Sequence, residues 1–381
     1  MSKSFEIEIN TEILKWVIQT SGWTIPELAK KIGMSGEDLN SIINNNKKIT
    51  ISQLTKISQL TKRPIAFFLL ADIPPEEKKP LPKDYRIVVS KKGEFTKETL
   101  MAIRMARKLQ MVSLELVKNL NLDISPKVMK ASLYDNPKYI AKEYRKKFNI
   151  SDELQKNLSS NKLFNLLRDR IEEENILVFQ IPMPIEDARG FSLSDSIPNV
   201  IVVNSKDLIN AKMFTLMHEF AHIILRDTVI DMPEDSLFGN NIKNEIEEWC
   251  NEFASEFLLP EEIAIEIFNR YKSNITNLEN IEKISKKWKV SKKFLLYKMY
   301  KLGYIGRKDF EHLMPVDKKT KTGKKGSPPP DIRCISERGK KFIILVRNNV
   351  NNNFITLREA LDYLSIKVHH YQKVIKKIEG R

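Results

Sequence analysis

The sequence predicts a mostly helical α+β chain: an N-terminal helix-turn-helix bundle, a larger domain with a small sheet, and a small C-terminal module. Three observations lead there. Apolar residues recur at helical spacing over most of the chain, and only two short β-branched runs, Ile176–Ile181 and Val200–Asn204, read as strands. Two stretches rich in proline and charge, Asp72–Asp84 (DIPPEEKKPLPKD) and Asp317–Asp331 (DKKTKTGKKGSPPPD), interrupt that pattern and read as linkers. The length, 381 residues, suits two or three domains. The expected boundaries are 1–72 for the helix-turn-helix domain, 73–155 for a linker and helical connector, 156–275 for the central domain, 276–310 for a basic helical segment, and 311–381 for a basic linker and the C-terminal module.

Composition excludes several classes. The longest apolar run, Ile65–Ala71, has seven residues, far short of the roughly 20 that span a bilayer. The N-terminal MSKSFEIEIN carries no apolar signal segment. Two cysteines, Cys250 and Cys334, make neither a disulfide framework nor a Cys-based zinc cluster, so a reducing, cytoplasmic location is expected. The net charge of +15 is uneven: residues 1–80 hold 11 basic and 9 acidic side chains, residues 311–381 hold 16 and 7. Such an excess suits an acidic partner, nucleic acid first, and equally a lysine-rich composition that keeps the chain in solution.

Along the first domain, Thr11–Thr20, Ile25–Ile32, Gly36–Asn44 and Ile51–Leu60 read as helices, the last with Thr50 as N-cap. Gly33-Met34-Ser35 between the second and third is the tight turn of a helix-turn-helix, with Leu28, Ala29, Ile32, Leu39, Ile42 and Ile43 as its core. The connector holds further helices: Thr99–Leu120, Ala141–Phe148 and Lys162–Glu174. The two strands follow, separated by a loop-like stretch, Met183–Asn199, that contains Gly190. Val200–Asn204 is expected at a sheet edge, open to an extended peptide.

The chemistry concentrates after the second strand. His218-Glu219-Phe220-Ala221-His222 is an HExxH, and it uses two of the chain's five histidines. Residues i and i+4 share a helix face, so both imidazoles can point at one ion. Zinc prefers such nitrogen ligands, and Glu219 sits beside the first of them, placed to take a proton from an activated water. An apolar stripe from Phe214 to Leu225 supports a helix over Ala211–Leu225. A catalytic zinc site takes three protein ligands, and no third histidine is near. A carboxylate on the next helix, Lys243–Leu259, is expected instead, and by spacing Glu245, Glu247 and Glu248 are nearly equal candidates. Asn251 lies one turn beyond Glu247 on the same face, a polar neighbour of the kind that orients a metal-bound carboxylate.

Gly190-Phe191-Ser192, Pro198–Asn204 (PNVIVVN), FTLMHEFAHIIL at 214–225 and EEWCNEFASEFLLP at 247–260 together resemble the ImmA/IrrE family of zinc metallopeptidases. The resemblance covers about residues 160–305. It implies a zincin-like metallopeptidase domain, with His218, His222 and Glu247 as zinc ligands and Glu219 as the base. It also implies a protein substrate, a helix-turn-helix repressor inside the same cell. The N-terminal segment resembles the Xre/Cro-type helix-turn-helix that precedes the peptidase in many fused members.

Its reading helix is short of basic residues: Ser35–Asn46 contains Glu37 and Asp38 and no Lys or Arg. Asn40, Asn44, Lys47 and Lys48 are the candidate DNA contacts, and a module for protein partners is the competing reading. A second candidate reader is Ile281–Ile305, with eight lysines and no acid from Lys283 to Lys301; helices packed on the peptidase, their lysines merely solvated, are the alternative. In the C-terminal module, Cys334–Ser336 and Phe342–Arg347 read as strands, Leu357–Tyr363 and Val368–Ile378 as helices. His369 and His370 are adjacent and read as a surface pair.

The expected function is a regulatory zinc endopeptidase with an attached DNA- or partner-binding domain. The alternative is a DNA-binding regulator or toxin–antitoxin component that uses the same fold for binding or sensing only.

Overall fold

The computed structural model describes residues 5–74, 85–87, 95–225, 240–314 and 328–380. Most of the two linker stretches, 75–84 and 317–327, lies outside the described residues. The chain divides into two compact units. One draws on Met1–Lys83, Ile87–Arg107 and Pro182–Ala188, the other on Asp84–Arg86, Lys108–Ile181 and Arg189–Arg381. No described helix is long and apolar enough to cross a membrane.

In the first unit β1 (Glu6–Ile7), α1 (Thr11–Thr20), α2 (Ile25–Ile32), α3 (Gly36–Ile43), β2 (Ile49–Thr50) and α4 (Ile51–Thr61) follow in order. Each helix begins where a side-chain oxygen accepts a first-turn N–H: Asn10, Thr24, Ser35 and Thr50, with Thr24–Glu27 and Thr50–Gln53 closing as capping boxes. Gly33 ends α2 at φ 84°, a left-handed conformation that costs glycine nothing. The expected turn core is buried, and it joins Ile13, Leu14, Val17, Leu54, Ile57 and Phe68 in one apolar cluster. β1 and β2 pair antiparallel.

Beyond residue 84 the elements are β3 (Tyr85–Ile87), α5 (Lys97–Asn119), α6 (Pro137–Lys147), α7 (Asp152–Asn157), α8 (Ser160–Glu173), β4 (Ile176–Ile181), β5 (Ala188–Leu193), β6 (Asn199–Asn204), α9 (Ile209–Ile224), α10 (Asn240–Leu258), α11 (Glu261–Arg270), α12 (Leu278–Trp288), α13 (Lys292–Lys301), α14 (Arg307–Leu313), α15 (Pro330–Arg338), α16 (Lys340–Asn351), α17 (Leu357–Leu364) and α18 (Val368–Glu379). The sheet order is β3-β5-β6-β4. β4 runs parallel to β6, with Ile176 opposite Asn199 and Ile181 opposite Asn204, while β5 runs antiparallel to it, with Gly190 opposite Val203.

Three expectations are corrected here. Val200–Asn204 is not a sheet edge: β6 lies between β5 and β4, and every residue of it is buried. A continuous β-branched run covered on both faces belongs inside a sheet. The stretch around Gly190 is not a loop but strand β5. Its glycine and arginine carry little strand propensity, and pairing with β6 overrides them. Cys334–Ser336 and Phe342–Arg347 are not strands but parts of helices α15 and α16. Short apolar runs look alike in both states. In α16 the buried positions are Phe342, Ile343, Leu345, Val346 and Asn349, a helical period.

The C-terminal helices close over the sheet. Val178 of β4 joins the core under α8 and α9, and Phe179, on the opposite face, meets Phe342 of α16 edge-on at 5.4 Å. Arg168 of α8 is the pin. It is 3% exposed, and its guanidinium donates to the carbonyls of Ser336 (2.6 Å), Ile335 (3.3 Å) and Val178. Glu172 lies 3.4 Å from the Arg168 Nε and accepts the Lys341 N–H at 2.9 Å. Burial pushes the Glu172 carboxyl up to about 7 against the pull of Arg168. Gly339 between α15 and α16 has no room for a Cβ, which would fall 2.2 Å from the Glu172 carboxylate. Arg168→Ala strands three carbonyls and a buried carboxyl; it is expected to cost about 3–5 kcal/mol, read as a lower denaturant midpoint.

Candidate metal centre

The chemistry-bearing residues come from three elements. α9 carries His218, Glu219 and His222, all buried. Phe220 lies on the opposite side of the helix, two residues from each histidine, and roots α9 in an aromatic cluster. Its ring is 4.9 Å from Tyr144 of α6, 5.7 Å from Phe148 and 6.2 Å from Phe253 of α10. The Tyr144 hydroxyl accepts the Met129 N–H at 2.8 Å, so the one polar atom in the cluster is paired. α10 packs on both α6 and α9, which brings Glu247 to the histidines.

The packing separates the three glutamates that spacing leaves equal. Glu247 is half-buried and faces α9, while Glu245 and Glu248 are exposed. The His218 and His222 Nε2 atoms are 3.1 Å apart; Glu247 Oε2 lies 3.4 Å from the first and Oε1 3.4 Å from the second. A tetrahedral ion with bonds of about 2.0–2.1 Å sets its donors about 3.3 Å apart. The carboxylate straddles the two imidazoles, and one donor atom from each of the three residues lies within 4.8 Å of the others, close enough to share one ion. Among the described residues this is the one such cluster of histidine, cysteine or acid side chains. Asn251 is half-buried on α10, one turn past Glu247. His369 and His370 stand on the first turn of α18 with rings 4.0 Å apart and belong to no such cluster.

The electrostatics suit a cation. Burial opposes charge on Glu247, yet His218 and His222 outweigh it and hold the carboxyl well below the usual carboxylate range. Burial likewise opposes charge on His222, and Cys250 and Glu247 outweigh it, raising that imidazole well above its ordinary value.

Four contacts were not legible in the motif. Ser192 of β5 donates its hydroxyl to Glu219 Oε2 at 3.1 Å, and both are buried. Cys250 of α10 lies beside the His222 ring and helps to raise its pKa. Phe214 lies nearly parallel to His218, at 6.3 Å and 25°. Gly190 lets β5 approach α9: a Cβ there would fall 2.4 Å from the Thr215 methyl and 2.7 Å from the Val202 carbonyl. Phe214 stands one turn before His218 on α9, whereas the other three contacts cross from one element to another and spacing points to none of them.

Residues 171–300 match the IrrE N-terminal-like domain, a peptidase family. The segment is similar to that peptidase family. A curated relative, the radiation response metalloprotease IrrE of Deinococcus radiodurans, is 35% identical over 75 residues. That match takes in 19% of this chain and spans about a quarter of the relative's length (23%). The matched segment runs from the end of α8 through α13, so it includes the sheet strands β4–β6 and all three donors.

The candidate DNA contacts lie in the other unit. Asn40, Asn44, Lys47 and Lys48 are all exposed. Lys47 is paired with Asp38 at 2.7 Å and Lys48 with Glu8 at 2.8 Å, so neither adds net positive charge to that surface.

Gly190→Ala wedges β5 away from α9. The expected cost is about 1–3 kcal/mol, seen as a lower unfolding midpoint, and an unchanged midpoint would show that β5 yields freely.

Proposed function

We propose that the chain is a zinc-dependent endopeptidase acting on an intracellular protein, a helix-turn-helix repressor being the substrate class implied by the family resemblance. The observation that carries this is the donor triangle of His218, His222 and Glu247, with the buried Glu219 carboxylate on the next residue of the same helix. In this reading His218, His222 and Glu247 hold the ion, Glu219 is the base, and Asn251 steadies the Glu247 carboxylate. Zinc bound there supplies a Lewis acid that polarises a carbonyl and lowers the pKa of water toward neutrality. Glu219 takes the proton of the attacking water on its carboxylate and delivers it to the leaving nitrogen. Ser192, holding Oε2, leaves that carboxylate one aim rather than two. The N-terminal helical unit then serves the same protein as a partner-binding domain, its two candidate lysines already being paired.

Metal content tests the site first. About one zinc per chain is expected in the wild type and in Glu248→Ala, with loss in Glu247→Ala; retention in Glu247→Ala would remove Glu247 from the ligand set. Glu219→Gln is expected to keep zinc and lose cleavage of the substrate about 100-fold or more. A full rate in that variant would end the proton-transfer role. Protons compete for the imidazole nitrogens, so zinc affinity is expected to fall as pH drops from about 8 to about 6, as chelator competition would read out. The raised His222 moves the onset of that loss to higher pH than an ordinary histidine would.

A further inference from the structure

The chain builds the same turn twice. Gly33-Met34-Ser35 joins α2 to α3, and Lys289-Val290-Ser291 joins α12 to α13. In both, the first residue has a positive φ (84° and 59°) and its N–H bonds back to the carbonyl four residues earlier, Ala29 or Ser285. The second residue bonds to that same carbonyl, Met34 at 3.0 Å and Val290 at 3.2 Å. The serine hydroxyl accepts an N–H from the next helix, Asp38 at 3.0 Å or Phe294 at 3.1 Å. Both are short helix pairs with the turn of a helix-turn-helix.

Their charges differ. At the first, Lys30 and Lys31 at the end of α2 are balanced by Glu37 and Asp38 in the first turn of α3. Around the second turn stand Lys286 and Lys287 at the end of α12, Lys289 in the turn, and Lys292 and Lys293 at the start of α13. Lys286 and Lys292 share one acid, Glu282, at 2.6 and 2.8 Å. Lys283, Lys287 and Lys293 are exposed and make no ion pair among the described residues. Lys298 is different: it is buried, donates to the Leu259 carbonyl, and burial lowers it to about 8, so it belongs to the core.

Fold stability does not account for the exposed set. Lysines in a helix's first turn oppose its dipole, and a lysine cluster with so few acids repels itself. The inner side of the unit is fully used: Ile284, Trp288, Phe294 and Leu295 are in the peptidase core, and the Gln155 amide donates to the Trp288 carbonyl at 2.8 Å. α14 covers the far half of α13, with Phe310 stacked on Tyr300 at 5.1 Å, and the lysines at the near end stay exposed.

We propose that α12, its turn and α13 form a surface for duplex DNA, held through the phosphate backbone, and that DNA contact belongs here rather than at the N-terminal turn. α13 has ten residues, and an α-helix, about 10–12 Å across with its side chains, is admitted by a major groove about 12 Å wide. Its sequence, KKFLLYKMYK, has no Arg, Asn or Gln to read base edges. Binding is therefore strongly salt-dependent and indifferent to sequence. It needs neither the metal nor Glu219, so it stands apart from the peptidase reading.

The test is titration of a fluorescent mixed-sequence duplex with the full chain at several salt concentrations. Binding with a steep negative salt slope is expected, and equal affinity for a second, unrelated duplex. The Lys287→Glu, Lys293→Glu double variant should bind at least about tenfold more weakly and lose about 2 from the slope, with zinc content and unfolding midpoint unchanged. No binding by the wild type at low salt overturns the proposal. So does a loss produced instead by reversing Lys47 and Lys48. Polyglutamate displacing the duplex at equal charge concentration would assign the surface to an acidic protein.

Discussion

The crossing of α9 and α10 is the constraint on which the rest of the site depends. Three donors from two helices converge to within 4.8 Å of one another, backed by the apolar core. Buried polar groups are costly unless partnered, so the helices cannot slide without stranding them. What prevents sliding is the aromatic cluster behind the donors, Tyr144, Phe148, Phe220, Phe253 and Phe257, whose rings meet at 4.9–6.3 Å. Close-packed rings allow few alternative arrangements, so rigidity on the apolar side of α9 becomes precision on its polar side.

The sheet adds a second support. β5 reaches α9 only because position 190 has no side chain, and that approach places Ser192 on the Glu219 carboxylate. β5 is held by β6, β6 by β4, and β4 by α8 and the C-terminal helices. Arg168 links these last layers by tying the carbonyls of Val178, Ile335 and Ser336 to one guanidinium. The C-terminal helices are thus part of the same packed body as the candidate centre.

The two matching turns separate local chemistry from surface chemistry. Each follows from the same short pattern, a left-handed residue, an apolar residue and a serine N-cap, and each has the same internal hydrogen bonds. A turn of this kind needs nothing from the charges around it. What the surrounding surface can attract is set by the side chains around the turn: lysines balanced by acids at one, a lysine cluster with the single acid Glu282 at the other.

Features that live within one turn of helix were legible in the sequence: the HExxH face, the cap at Thr50, the turn core around Leu28 and Ile42. Their spacing is a direct consequence of the helical period. β5, the burial of β6 and the helical state of Phe342–Arg347 were not, because each short run is compatible with more than one local state and is decided by a partner far along the chain. By itself the sequence determined which side chains can meet on one helix, His218 with His222, and which charges the chain carries. Glu247 was singled out from Glu245 and Glu248 by the family resemblance and not by spacing; the tertiary structure brings it to the histidines, and it alone decided that Ser192 meets Glu219 and that Lys298 is buried while Lys287 and Lys293 are exposed. Periodicity is fixed by the backbone of a single element, whereas contact between elements depends on how all their packed faces fit at once.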